Sequence, residues 1–313
     1  MYKLIRFWHQ NKNQIIKVLA VIVFIFLIIQ VVNQVIRSQN KRKTEQFAKN
    51  KTEIVNTNTE SNKGLISEKS AVTGESISET QLKKATDIIY EFVNYCNDKD
   101  LEKAYNLLSD DCKQAMYNSL DSFKQAYYMN VFNGQRKNCT FENWVGNTYK
   151  VDLTEDILAT GKDTGYSKQD YMTVKQIDGE YKLNINNYIG HRDINETTTI
   201  DNITVQVLSK ETYMDDEEYK IKVTNKTEDS LQLDTVSSVK TLYLEDSNGL
   251  QYPYYNHELT DQTLAVESGQ TKELKIKFYS SYTSTKTINY MVFSNMIIKG
   301  EQLSKVIKFR AKV

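Results

Sequence analysis

The sequence predicts an α+β domain followed by an all-β domain, both held at a membrane by an N-terminal transmembrane helix. Three observations carry this. Residues 18–36 run for 19 positions without a charge. Apolar residues between Leu82 and Cys96 recur at helical spacing. From about residue 149 onward they recur at every second position, between short turn signals.

At 1.5 Å per residue the apolar run spans about 28 Å as a helix, close to the roughly 30 Å of a bilayer's hydrocarbon core. No small-residue cleavage site follows it. The run passes through Gln30, Asn33 and Gln34 straight to Arg37, so it reads as an uncleaved signal anchor. Gln30, Asn33 and Gln34 share one helix face, suited either to a partner helix or to the headgroup boundary. Lys3, Arg6, Lys12 and Lys17 precede the span, and Arg37, Lys41, Arg42 and Lys43 follow it, so flanking charge is nearly balanced. A long folded C-terminal part can be exported regardless of that balance. Residues 1–37 thus read as tail and anchor in the cell membrane; flanking charge does not orient them, and the domain types described below imply a cytoplasmic tail with the remainder outside. The first partner this reading implies is the lipid bilayer itself.

Net charge is zero, but residues 1–51 hold ten Lys/Arg against the single acid Glu45, and the rest of the chain is correspondingly acidic. An acidic body does not suit nucleic acid, whose phosphates need clustered cations. The basic segment lies beside the apolar run, where lipid headgroups are its counterions. Residues 38–78 are polar, without periodicity, and read as a flexible linker that reaches on the order of 35 Å.

The first folded part is expected over 79–195. Leu82, Ala85, Ile89, Phe92 and Cys96 form one helix face. Leu101, Ala104, Leu107 and Leu108 form a second short helix with Asp100 at its N-cap. Ser109 starts a third, with Asp110 and Asp111 in its first turn, and a further helical stretch surrounds Leu120, Phe123 and Tyr127. Tyr149, Val151 and Leu153 then alternate with polar residues, and Asp178-Gly179 marks a type I′ hairpin whose return strand puts Tyr181, Leu183 and Ile185 on one face. Helices followed by an antiparallel meander define an α+β domain. Over 200–313 the pattern is strands alone. Ile203, Val205 and Val207 alternate, as do Tyr219, Ile221 and Val223, and Leu274, Ile276 and Phe278, with a hairpin signal at Asn248-Gly249. Six to eight short strands in this length predict a β-sandwich.

The motif Asp100, Ala104, Tyr105, Leu108, Ser109 and Lys113, within "IIYEFVNYCNDKDLEKAYNLLSDDCKQAM", together with "WVGNTYKVDL", resembles the opening and curved sheet of the NTF2-like (cystatin-like cone) superfamily. The stretches "YKIKVTNKTEDSLQLDT", "LEDSNGLQY" and "VESGQTKELKIKF" resemble the Ig-like modules of exported Gram-positive proteins. The layout as a whole is similar to a family of Clostridium-type single-span membrane proteins, and at fold level to the VirB8-like and TcpC-like scaffolds of conjugative transfer channels. Those scaffolds lack the C-terminal sandwich. These resemblances imply a non-enzymatic protein that presents its modules to a protein partner in the cell envelope or to envelope material. They also imply two alternatives: a small-ligand sensor or carrier that uses the cone, or a transfer-channel scaffold subunit.

The residues themselves name no catalytic, cofactor-binding or metal-ligating set. His9, His191 and His257 have no second His or Cys at ligand spacing. His191 lacks a nearby partner in sequence to activate it as a base. Asp215-Asp216-Glu217-Glu218 has neither the alternation nor the glycine of a calcium loop and reads as a solvated start of a strand. No phosphate-binding glycine loop and no esterase elbow occur. Cys96, Cys112 and Cys139 are either three reduced structural thiols or one disulfide and a spare. Trp144, Tyr149, Tyr171 and Tyr181 either line a pocket in the cone or pack its core. Tyr252, Tyr254 and Tyr255 around Pro253 form an adhesive surface if exposed, or a cover for one end of the sandwich.

Overall fold

Helix caps written in the sequence set the first half. In this computed structural model, which describes residues 67–157, 161, 165–235, 241–255, 259–283, 285–299 and 304–313, Ser78 caps α1 (Glu79–Asn97) by accepting from the N–H of Gln81. The anchor, the linker up to residue 66, His9 and His257 lie outside the described residues. Asp100 caps α2 (Leu101–Asn106) and Ser109 caps α3 (Asp110–Met116), each side chain accepting from a backbone N–H of the first turn. A Ser119–Ser122 capping box opens α4 (Leu120–Phe123), which runs through a π turn (Lys124–Tyr128) into α5 (Met129–Val131). Tyr127 and Tyr128 in the π turn are both buried.

Four strands follow as an antiparallel meander: β1 (Lys137–Val145), β2 (Thr148–Glu155), β3 (Ser167–Ile177) and β4 (Glu180–Asn184). Asp178 and Gly179 close the β3–β4 turn with φ of 50° and 86°, the left-handed pair that a type I′ hairpin requires. Alternation drives Phe141, Tyr149, Val151, Leu153, Met172 and Leu183 into one cluster with the α1 face Ala85, Ile89, Phe92 and Cys96. Each large side chain so buried contributes about 1.5–3 kcal/mol.

The remaining strands are β5 (Tyr188–Ile200), β6 (Ile203–Tyr213), β7 (Glu217–Asn225), β8 (Ser230–Gln232), β9 (Leu242–Asp246), β10 (Gln251–Pro253), β11 (Ala265–Val266), β12 (Thr271–Phe278), β13 (Ile288–Lys299) and β14 (Ser304–Lys312). One sheet has the order β12-β7-β6-β5. The other has β10-β9-β13-β8-β11, with β14 along the second edge of β13. The two enclose a separate core that includes Val205, Tyr219, Ile221 and Phe278 from one side and Leu244, Met291, Phe293 and Phe309 from the other. Among the described residues the protein is thus helix on one antiparallel sheet, then two further antiparallel sheets around a second core. Contacts join all of it, from Ile66 to Val313, into one unit.

Two expectations are corrected. The linker does not extend to residue 78. Residues 69–76 form a turn closed by a Lys69–Ser76 bridge, and the N–H groups of Ala71 and Val72 donate to the carbonyls of Asn143 and Trp144 on the free edge of β1. At the other end of that edge the Asn97 side chain accepts from Lys137 N–H and donates to Lys137 C=O. Capping both ends shortens an otherwise open pairing surface. The boundary placed between residues 195 and 200 also falls within a strand. β5 begins in the first core at Tyr188, fully buried there, and pairs with β6 from Tyr188 to Ile200. Asp201 and Asn202, both at positive φ, make the tight turn that joins β5 to β6.

Candidate functional site

The first sheet separates the aromatics that the sequence offered for a pocket. Tyr149 points into the core and Tyr181 packs at its margin. Tyr171 lies between the buried Asp170 and Met172 and so faces the other way, beside Lys150, its partner in register. Trp144 sits at the irregularity between Asn143 and Val145 in β1 and meets Tyr171 with ring centroids 5.5 Å apart. Lys150 Nζ is 5.9 Å from the Trp144 ring and 3.3 Å from Glu142 Oε1. Gln169 Nε2 donates to Tyr171 Oη at 3.1 Å. Burial pushes the Tyr171 hydroxyl up despite the pull of Lys150, so it stays a neutral hydrogen-bonding group. This half-exposed patch of two rings, a cation and a carboxylate can stack on and hydrogen-bond a ligand or partner. It pairs no nucleophile with a base.

Inside the first core, ionisable groups are committed to structure. Asp170 Oδ2 accepts from Tyr127 Oη at 2.8 Å and from Asn186 N–H at 3.1 Å, and Oδ1 accepts from Asn187 N–H at 3.1 Å. Asn186 and Asn187 have φ of 59° and 65°, so the carboxylate fixes a left-handed turn between β4 and β5. Burial pushes Asp170 up and these hydrogen bonds pull it part of the way back. Cys96, Cys112 and Cys139 are all buried free thiols. Burial pushes Cys112 and Cys139 each up to about 12, far from a reactive thiolate. An open cleft of about 630 Å³ lies elsewhere, walled by Asn138, Thr154, Glu155, Tyr166 and Ser167.

His191 is inside β5 rather than after the last strand of the first half. Its Nδ1 lies 2.7 Å from Glu211 Oε1 and its Nε2 lies 3.1 Å from Asp193 Oδ1, while Tyr188 Oη donates to Glu211 Oε2 at 2.5 Å. The partner that sequence order hid is 20 residues away, directly opposite in the β5–β6 register.

The acidic run is not uniformly solvated. Glu217 is 2% exposed, 3.1 Å from Lys210 Nζ, and accepts from Tyr219 Oη at 2.9 Å. The reason is parity: Glu217 shares the inward face of β7 with Tyr219, Ile221 and Val223. Lys286 lies 3.9 Å from the same carboxylate and donates to Ser280 Oγ and Ser281 C=O. Of the tyrosine cluster, Tyr254 is buried in the second core, Tyr252 donates to Asp246, and Tyr255 stacks on Tyr279. These rings cover one end of the core more than they offer an adhesive surface.

Comparison with protein-family models, curated proteins and solved structures gives no match to this chain. Among the described residues no helix is long and apolar enough to cross a membrane, and the segment 18–36 lies outside them.

Proposed function

We propose that this is a single-pass, membrane-anchored extracytoplasmic protein, not an enzyme, which presents an NTF2-like module and an Ig-like module to a protein or cell-envelope partner. On this reading the Trp144–Tyr171 face is the contact surface. The observation that carries it is the division of labour across the first sheet. The inward acid Asp170 has both oxygens occupied by Tyr127 and two backbone N–H groups, while the outward aromatics stand beside a Lys–Glu pair. Trp and Tyr in one half-exposed patch are residue types enriched at interface hot spots. The alternative of a small ligand in the cone has less support, because the rings of Phe92, Phe123 and Tyr127 fill its centre, with Phe123 and Tyr127 stacked at 5.7 Å. Membrane attachment rests on the uncharged run 18–36.

Crosslinking in intact membranes, followed by recovery of the full-length chain, tests the proposal. A discrete partner is expected with the native protein and at least tenfold less of it with Trp144→Ala/Tyr171→Ala. Equal recovery from both removes the assigned face. Full-length protein in the supernatant of detergent-free lysate removes the anchored reading.

A further inference from the structure

The stretch 190–193 is the joint between the two halves. Register shifts interrupt the β5–β6 ladder on both sides of it, between Tyr188 and Gly190 and between Asp193 and Glu196. Tyr188, just before the joint, belongs to the first core, and the strand after it belongs to the second sheet. Four residue pairs hold the joint: Gly190 with Thr212, His191 with Glu211, Arg192 with Lys210, and Asp193 with Ser209. Gly190 stands here at φ 156°, a backbone conformation that L side chains rarely adopt.

At this joint the His191 ring lies between two carboxylates. A carboxylate oxygen only accepts, so both contacts are hydrogen bonds only when both ring nitrogens carry a proton. Imidazolium satisfies Glu211 and Asp193 together. A neutral ring leaves one of them facing a lone pair. The charged groups around the joint are Glu211 and Lys210 on β6, with Lys210 paired to Glu217, Arg192 and Asp193 on β5 and, against Gly190, the Lys175–Asp111 ion pair from β3 and α3 at 2.9 Å. Tyr188 holds the second oxygen of Glu211.

We propose that His191 is a proton-operated latch on this joint, so that the coupling of the two halves weakens when the ring loses its proton. Burial pulls the ring's pKa down, but the hydrogen bonds to Glu211 and Asp193 outweigh it and the net direction is upward from 6.5. A raised folded-state value means that the latch contributes fully below the free-histidine pKa and is lost as pH rises through the folded value. By linkage, opening of the joint becomes more frequent by the ratio of the ring's proton affinities in the closed and open states.

Histidine C2–H exchange by mass spectrometry on the full-length chain reads the His191 pKa. Amide exchange over 188–193 and 209–213, corrected for intrinsic rates, reads the joint. The expected result is a His191 pKa above 6.5 that falls in Glu211→Gln and, by less, in Asp193→Asn, whose side chain is exposed and whose folding is not at risk. Amide protection should fall across the same pH range, by the fold-change the pKa difference sets, and this step should vanish in His191→Gln. A native pKa at or below 6.5, or an unchanged protection step in His191→Gln, overturns the proposal.

Discussion

Asp170 and Glu217, two of the buried acids, have different company. Asp170, in the helix-covered core, is held by a phenol and backbone N–H groups, all neutral. Glu217, between the two later sheets, is held by the ammonium of Lys210 and the phenol of Tyr219, with the Lys286 amine near by. Neutral donors stabilise a buried charge without offsetting it, so Asp170 keeps a raised pKa. Beside Glu217 the strained member is the base: burial pulls Lys286 below its usual range, against the pull of Glu217. The signs of the pH response are therefore opposite. Asp170 favours the folded state below its free value and loses that contribution as pH rises through its folded value. Lys286, with a lowered pKa, contributes above its free value and loses that contribution as pH falls through its folded value. Through Asp170 a falling pH favours the folded state, and through Lys286 it disfavours it.

The largest test of this contrast is Asp170→Ala. It leaves the Tyr127 hydroxyl and the Asn186 N–H without their acceptor, while Asn187 N–H keeps the Tyr171 carbonyl, and should cost about 4 kcal/mol. Urea unfolding followed by Trp144 emission measures it, and a loss under about 1 kcal/mol would mean that the carboxylate does not organise the turn. Glu217→Ala should cost about 3 kcal/mol, less than Asp170→Ala because Lys210 can turn toward water while Lys286 keeps its two serine acceptors. Circular dichroism during urea unfolding reads that value, and a cost above that of Asp170→Ala reverses the ranking. Lys286→Met should shift stability by less than about 1 kcal/mol at neutral pH, since replacing a buried charge with an apolar chain is often neutral or favourable. Amide exchange in β13 should then lose the weakening expected of the native protein as pH falls through the folded-state value of Lys286. Persistence of that weakening would assign it to another group.

The caps Asp100 and Ser109 and the Asp178-Gly179 turn were legible because each acts within four residues of itself, whereas the Ser78 cap fell inside the stretch read as linker. β5 was not. Two register shifts break its alternation, and Thr197, Thr198 and Thr199 supply no inward apolar signal. The turn pair Asp201-Asn202 was the one local clue to it. Asp170 and Glu217 were readable in principle. Each keeps the inward parity of its strand, two positions before Met172 and Tyr219 respectively, and an acid in phase with buried residues signals a buried carboxylate. What no local pattern supplies is the partner. Glu211 opposite His191, Tyr127 opposite Asp170 and Lys286 beside Glu217 are joined by tertiary register alone.

The turn over 69–76 gives the protein a defined mechanical input. A pull from the chain ahead of residue 67 reaches the first sheet through the two hydrogen bonds from Ala71 and Val72 to β1, and through the Ser70 hydroxyl on the Trp144 carbonyl. These few contacts would peel one after another under tension, before any ladder within the sheet is sheared. Force applied there would thus meet the turn before the fold behind it.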